Sequence, residues 1–561
     1  MSSFPYRGER YLDADEVDAF VDSLAAAAPD WVRVHTVGHS RQGRAIRLVT
    51  VGDHRDDPAA VDRRPAFWLD AGTHATEWTG VMAALFTLSR WVEGLLAGDS
   101  ELVASFGRST AHVLPLISPD GLHASMHGTA PMRSTLRPPR SSTVRQGFAP
   151  GDLTGDGTLR WMRWRHPAGG WVPLEDHPFG MRPRTVDDDP ADAWFVSMEG
   201  SFVAWDGVRW VEAAREHGLD LNRNFPVDWS PFQMFGMDAG DYPGSEPESQ
   251  AVLQAVHARP NIAAALTNHT YTGCLLTPPA RRDDALPASD TALMQRLATD
   301  LVKGTGYRVY KVYPEFMYDP DKPIIGTWDD TLSATFGICA YTLELWNPYA
   351  WAGVDEGDPV DMFRDPSPEV MAALLRRCAD DGAYVDWTDV EHPQLGAVQI
   401  GGVDELRTIR NPPEPLLAEE CERGFVVAER LRRALPRVQA TLTVQELGEA
   451  RQVQLVLENL GALSTSSLQR GDDIGTAPAV TAELVLDDGQ QLVDGPTVRQ
   501  LHPLDGWMRT GFDRNPFYPG LPDRGHRAVA RWTVRGEGLL RVRWQAGRAG
   551  SGENLHTTRD P

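Results

Sequence analysis

The sequence predicts an α/β fold, a mixed and mostly parallel sheet flanked by helices, followed by a separate all-β, sandwich-like domain. Three observations carry that reading. Short runs rich in Val, Leu and aromatic residues alternate with helical patterns through the first part of the chain, as helices packed on both faces of a sheet require. A long Pro-, Gly-, Arg- and Trp-rich segment, about 128–218, interrupts this alternation. After about Leu435 the remaining runs are strand-like, separated by Gly, Asp and Asn turns, with no clear helical stretch. The expected organisation is therefore a domain at 1–435 carrying an insertion, then a β-rich domain at 436–561.

Taken in order, residues 17–27 have helical spacing and stop before Pro29. Residues 47–51 and 66–71 read as strands, 80–96 as a long apolar-faced helix, and 113–117 as another buried strand. Ser118-Pro-Asp-Gly121 is a turn signal. Inside the insertion, Asp152-Leu-Thr-Gly-Asp-Gly157 looks like the start of a calcium loop, but Arg163 stands where a carboxylate ligand is needed, so a tight turn is expected. Ser245 with Glu248 three residues on, and Pro247 between them, predicts a capping box for a helix running to about Ala258. Residues 262–266 and 339–345 are strands. In the tail, 439–457, 482–486 and 539–544 read the same way.

Composition excludes several classes of function. The chain has 561 residues and a net charge of −24, which argues against nucleic acid as a partner. Four scattered cysteines form neither a disulfide framework nor a thiolate zinc cluster. The first residues lack the apolar core of a signal peptide, and no run has the length of a membrane helix. The expectation is a cytoplasmic protein without a membrane partner.

The chemistry starts at Asp70-Ala-Gly-Thr-His-Ala-Thr-Glu-Trp78, where His74 and Glu77 follow an apolar strand and could supply two metal ligands from one loop. His123 and His127 share a helical spacing but lack the glutamate that a helical zinc-protease motif needs, and read as surface or supporting residues. Position along the strands is more informative than spacing. His74, His269 and Glu344 each lie at or just past the carboxyl end of an expected strand, where open α/β sheets form their functional crevice. Asp220-Leu-Asn-Arg-Asn-Phe-Pro226 adds an Asn–Arg pair, and an arginine fork is suited to gripping a carboxylate; a structural ion pair is the alternative.

From about Tyr11 to about Glu420 the sequence resembles the zinc metallocarboxypeptidases of the carboxypeptidase A type. The resemblance is carried by Gly-Thr-His-Ala-Thr-Glu (72–77), Pro-Asp-Gly (119–121), Asp-Leu-Asn-Arg-Asn (220–224), Asn-His-Thr-Tyr (268–271) and Thr-Leu-Glu-Leu (342–345). The insertion and the β-rich tail look like the larger bacterial branch of that family. The resemblance implies one Zn2+ held by His74, Glu77 and His269, with Glu344 as general base and then acid. It implies that Asn222 and Arg223 bind the terminal carboxylate of a peptide substrate. Arg133 would polarise the scissile carbonyl, with Arg137 as the alternative, and Tyr318 would close over the substrate. Ser118 replaces the usual Asn of the family turn.

The expected activity is removal of a residue from the C-terminus of peptides. Two rivals remain at this level: a zinc-dependent small-molecule deacylase of the aspartoacylase type, and an inactive binding protein of the same fold. The side-chain pocket of the family is closed by a residue some 14 or 15 positions before the catalytic glutamate, which points to Asp329, followed by Asp330. An aspartate there favours Lys or Arg as the departing residue. The alternative is that both aspartates cap a helix at 331–336.

Overall fold

The computed structural model describes residues 4–556 apart from 56, 129–131, 140, 142, 175–179, 232, 235–236, 282–285, 320–321, 355–356, 359, 362–365, 509–516 and 518–524. Its centre is a mixed sheet of eight strands. Their spatial order is Val32–His39, Ala45–Val51, Thr110–Leu114, Ala66–Ala71, Ile262–Thr270, Cys339–Leu345, Cys274–Thr277 and Arg308–Lys311. The four middle strands run parallel to one another, and antiparallel pairings flank them on both sides.

Every residue of Ala66–Ala71 and Ile262–Thr270 is buried, as expected of strands covered on both faces. Side chains alternate between two cores. Phe67 and Leu69 join Val81 and Leu85 of the helix Trp78–Leu96, while Ala66 and Trp68 join Val252 and Leu332 on the other side.

Several local expectations are corrected. The strand expected at 113–117 is Thr110–Leu114: Pro115 has no N–H to donate and ends the ladder. Ser118-Pro-Asp-Gly121 is not a free turn; it opens the helix Pro119–His127, with Pro119 at the first position. The helix Pro247–His257 forms without the expected capping box. The Ser245 hydroxyl donates to the Glu246 carboxylate, and Asn224 supplies the capping oxygen by accepting from the Glu246 N–H (3.2 Å) and the Ser249 hydroxyl (2.6 Å). A distant partner has displaced the local one.

The segment 128–218 carries small elements of its own. Trp161–Arg165, Trp171–Pro173, Met181–Pro183 and Trp194–Met198 form one sheet with the hairpin Tyr384–His392 and Gly396–Val403, whose strands had not been anticipated. The Asp152 carboxylate accepts from the N–H groups of Gly155 (2.7 Å) and Gly157 (2.8 Å), which closes a tight turn.

The tail forms two four-stranded antiparallel sheets around Val453, Leu455, Leu484, Trp532 and Val542. A short helix, Gln469–Asp473, also lies there, contrary to the all-strand expectation. This region is fastened to the starting ends of two central strands. The Ser467 hydroxyl donates to the Ala263 carbonyl (2.6 Å) and accepts from the Cys339 N–H (2.8 Å). Buried Arg548 donates to the carbonyls of Pro260 (2.9 Å), Ile262 (3.0 Å) and Phe336. Gly337 and Gly471 meet there so closely that a Cβ on Gly337 would lie 2.2 Å from the Gly471 Cα. All four cysteines are buried and free.

Candidate active site

Parallel pairing sets the first relation: His269 and Glu344 are register partners at the carboxyl ends of neighbouring strands. The strand Ala66–Ala71 lies on the other side of His269 and leads through Gly72 (φ +73°) into the His74 loop. Glu77 stands at the N-cap of the helix Trp78–Leu96 but makes no side-chain cap, which leaves its carboxylate to face the histidines.

His74, Glu77 and His269 are buried and converge. His74 Nδ1 lies 2.8 Å from Glu77 Oε1, His269 Nδ1 lies 2.9 Å from Glu77 Oε2, and the two ring nitrogens are 3.1 Å apart. His74 Nε2 faces Asp220 Oδ1 at 3.2 Å. A proton on Nε2, donated to that carboxylate, leaves the Nδ1 lone pair directed at the common centre. Asp220 belongs to a quoted motif, yet sequence reasoning gave it no role; the available signal was a carboxylate two positions before Asn222.

Asp220 is a hub. Its Oδ1 also accepts from the Asn222 N–H (2.9 Å), and its Oδ2 accepts from Arg133 Nε (3.2 Å). Burial works to raise this carboxyl, but Arg133, Arg223 and His74 together hold it well below its ordinary value. Arg133 Nη1 donates to Glu77 Oε1 (3.0 Å), so this arginine adjoins the triad. Arg137 instead pairs with Asp238 (3.1 Å) and Asp241 (2.8 Å). His127 pairs with Asp13 at the surface and stands apart from the triad.

The Arg133 loop is placed by close backbone contacts. Its carbonyl accepts from the Ala75 N–H (2.8 Å); the neighbouring Ser134 carbonyl accepts from the Ser118 hydroxyl (2.9 Å), and the Ser134 hydroxyl accepts from the Leu221 N–H (3.0 Å). A Cβ at Gly121 would fall 1.9 Å from the Ser134 carbonyl oxygen. Gly121→Ala should therefore displace Arg133 as well as lower stability by about 1–3 kcal/mol. A urea titration and kcat/KM should both fall; an unchanged midpoint would show that the loop has slack.

Burial, and next the charge of Glu77, push the Glu344 carboxyl up to about 8. A cation shared by Glu77 and the histidines would offset that second cause. Asn222 and Arg223 are buried; Asn222 Oδ1 accepts from the Trp328 N–H (2.9 Å) and Arg223 Nη1 donates to the Asn222 carbonyl (2.7 Å). Gly326 (φ +62°) packs closely on this stretch, since a Cβ there would stand 2.4 Å from the Arg223 carbonyl oxygen. Tyr318 packs edge-on against Phe316, and its phenol is raised by burial and then by Glu344, while Arg133 and Arg223 oppose the rise.

The helix expected at 331–336 begins earlier, at Trp328, so Asp329 and Asp330 lie in its first turn and neither is its N-cap. Asp330 accepts from the Ala280 N–H (3.3 Å). Asp329 accepts from the Asp330 N–H (3.0 Å) and the Thr342 hydroxyl (3.2 Å), two residues before Glu344.

The family model described as zinc carboxypeptidase matches residues 17–352, more than half of the sequence. The chain belongs to the zinc carboxypeptidase family. A second model, described only as a domain of unknown function, matches 438–555. Carboxypeptidase B of Astacus astacus is 32% identical over 111 residues, 20% of this chain and 33% of that protein. Zinc carboxypeptidase A 1 of Drosophila melanogaster is 30% identical over 139 residues, 24% of this chain and 31% of that protein. These matches thus span about a third of the curated relatives' length. Among solved structures, thrombin activatable fibrinolysis inhibitor has 16% identity and a TM-score of 0.39, covering 67% of this chain and 75% of that one. Carboxypeptidase A from Helicoverpa armigera has 17% identity and a TM-score of 0.39, covering 66% and 74%.

The metal of this zinc carboxypeptidase family fits the residues present. Two imidazole nitrogens and one carboxylate, all within 4.8 Å of one another, are a typical catalytic zinc donor set that leaves a position open. The Asp220 contact to His74 is the outer hydrogen bond such ligands normally have.

Proposed function

We propose that this chain is a metallocarboxypeptidase that hydrolyses the C-terminal peptide bond of peptides. The observation that carries the reading is the His74–Glu77–His269 cluster with Glu344 on the adjacent strand. When bound, zinc supplies Lewis acidity, polarising a carbonyl and making water a nucleophile near neutral pH.

The chain's own groups do the rest. Glu344 takes the proton from the attacking water and delivers it to the departing amine. Arg133 donates to the oxygen on which charge develops, the kind of preorganised contact that dominates such reactions. Asn222 and Arg223 hold the free carboxylate and so select the chain end. Tyr318 packs over the bound residue.

The reading extends to the residue removed. The buried Asp329 carboxylate has no ion-pair partner among the described residues, and a Lys or Arg side chain of the substrate would compensate its burial. Acyl-dipeptides ending in Arg should be cleaved faster than those ending in Phe. A preference for Phe, unchanged in Asp329→Ala, would remove the pocket role.

Mass spectrometry of a peptide library, together with zinc content, tests the activity itself: loss of single C-terminal residues is expected, and cleavage of small acylated amino acids alone would favour a deacylase. Arg223→Ala should lower kcat/KM for free-carboxylate peptides by the equivalent of about 2–5 kcal/mol. Amidating the substrate should cripple the wild type and harm the variant little further; equal losses would refute the role given to Arg223.

A further inference from the structure

Residues 406–411 lie beyond the stretch that matches the family, yet they are tied to each of the three segments that carry His74 and Glu77, His269, and Glu344. Buried Asn411 donates to the Thr76 carbonyl (2.8 Å) and accepts from the N–H and hydroxyl of Thr79 (both 3.0 Å), which fixes it to the His74–Glu77 loop. The Thr408 carbonyl accepts from the Trp346 indole (2.9 Å), two residues past Glu344. Between these anchors the Arg410 guanidinium lies 5.3 Å from the ring centre of Tyr271, two residues past His269. The run Leu406–Arg410 is a π-helical turn, a rare form that recurs at functional sites.

Arg410 keeps its charge in spite of burial, with Tyr271, Glu405 and Glu77 favouring it, but no short ion pair holds it among the described residues. Its ion pair with Glu405 is long, at 3.5 Å. Its field reaches Tyr271, Glu77 and Glu344, and it is repelled by Arg133 and by Arg215 of the insertion. Arg215 is exposed and makes no ion pair among the described residues. Arg410, Arg133 and Arg215 repel one another, and cations gathered together draw an anion.

We propose that Arg410 recognises an acidic side chain of the substrate on the acyl side of the scissile bond, so that peptides with Asp or Glu just before the removed residue are preferred. This rests on the carboxypeptidase reading. The terminal carboxylate is already taken by Arg223, and an acidic departing residue would be repelled by Asp329. The remaining anion a peptide can offer is an acidic side chain upstream, and a guanidinium suits it through two parallel hydrogen bonds.

The test compares acyl-Glu-Arg with acyl-Gln-Arg. Wild-type kcat/KM should favour Glu by about tenfold or more, the scale of a hydrogen bond to a charged group. The ratio should fall to about one in Arg410→Gln and be partly kept in Arg410→Lys. A wild-type ratio near one, or a ratio unaltered in Arg410→Gln, overturns the proposal. Calorimetric titration of zinc-loaded Glu344→Gln protein with the same peptides separates recognition from turnover. Tighter binding of the Glu peptide, lost when Arg410→Gln is added, supports Arg410 even if the wild type releases no residue, in which case the carboxypeptidase reading alone fails. Equal affinities for the two peptides overturn the role of Arg410. Should Arg410→Gln not fold, Arg410→Lys with Arg215→Gln carries the same comparison: a Glu preference left intact there counts against the proposal.

Discussion

Glu344→Gln should retain bound zinc and peptide affinity while turnover falls on the order of 10²–10⁴-fold, the usual contribution of a positioned general acid–base. The substitution preserves shape and removes the proton-accepting function. Glu344 lies outside the cluster of His74, Glu77 and His269, so metal binding has no reason to change. Its Oε2 is buried and makes no hydrogen bond among the described residues, so the substitution breaks none at that oxygen. Its position beside His269 is fixed by backbone pairing, which Gln leaves intact. Turnover of an acyl-dipeptide measured alongside zinc content decides the matter, and near-normal turnover would take Glu344 out of the mechanism.

His269→Ala should have the opposite signature, with metal and activity lost together. The cluster has three ligands, and a site reduced to His74 and Glu77 no longer has the three protein donors that catalytic zinc takes. The variant should still fold, because the strand Ile262–Thr270 is held by its neighbours on both sides rather than by the imidazole. Circular dichroism would verify this. One equivalent of zinc in the folded variant would refute the ligand assignment.

Residues of the site were legible where chemistry repeats a pattern. His74, His269 and Glu344 could be placed because buried strands announce themselves as apolar runs and their carboxyl ends can be read off directly. Asp220 was quoted without a role, since nothing local to it reveals that it faces His74 across 146 positions. Arg410 gave no signal for a related reason: its place depends on Asn411 reaching Thr76 through the folded core. That Arg133 and not Arg137 adjoins the triad depends on contacts of the Ser134 loop that the sequence does not announce.

The fold shows the same division. The strands 66–71 and 339–345 were readable to the residue, whereas the hairpin Tyr384–His392 and Gly396–Val403 is polar on much of its surface and gains its identity from pairing with the distant strand Trp161–Arg165. The capping box at Ser245 was plausible locally and lost to Asn224, a competitor visible only in three dimensions.

The seam at Ser467 and Arg548 couples the β-rich tail to the strands that carry the site. It grips Ala263, Ile262 and Cys339 where their strands begin, and those strands carry His269 and Glu344 one residue before they end. At about 3.3 Å per residue, the grip and the metal centre stand roughly 20 Å apart along a stiff ribbon. Cutting the tail away would leave the carbonyls of Pro260, Ile262, Ala263 and Phe336 without these donors and free the near end of that ribbon. The tail is thus a remote anchor for the strands that carry His269 and Glu344, and heat should melt anchor and catalytic unit as one body, in a single calorimetric transition.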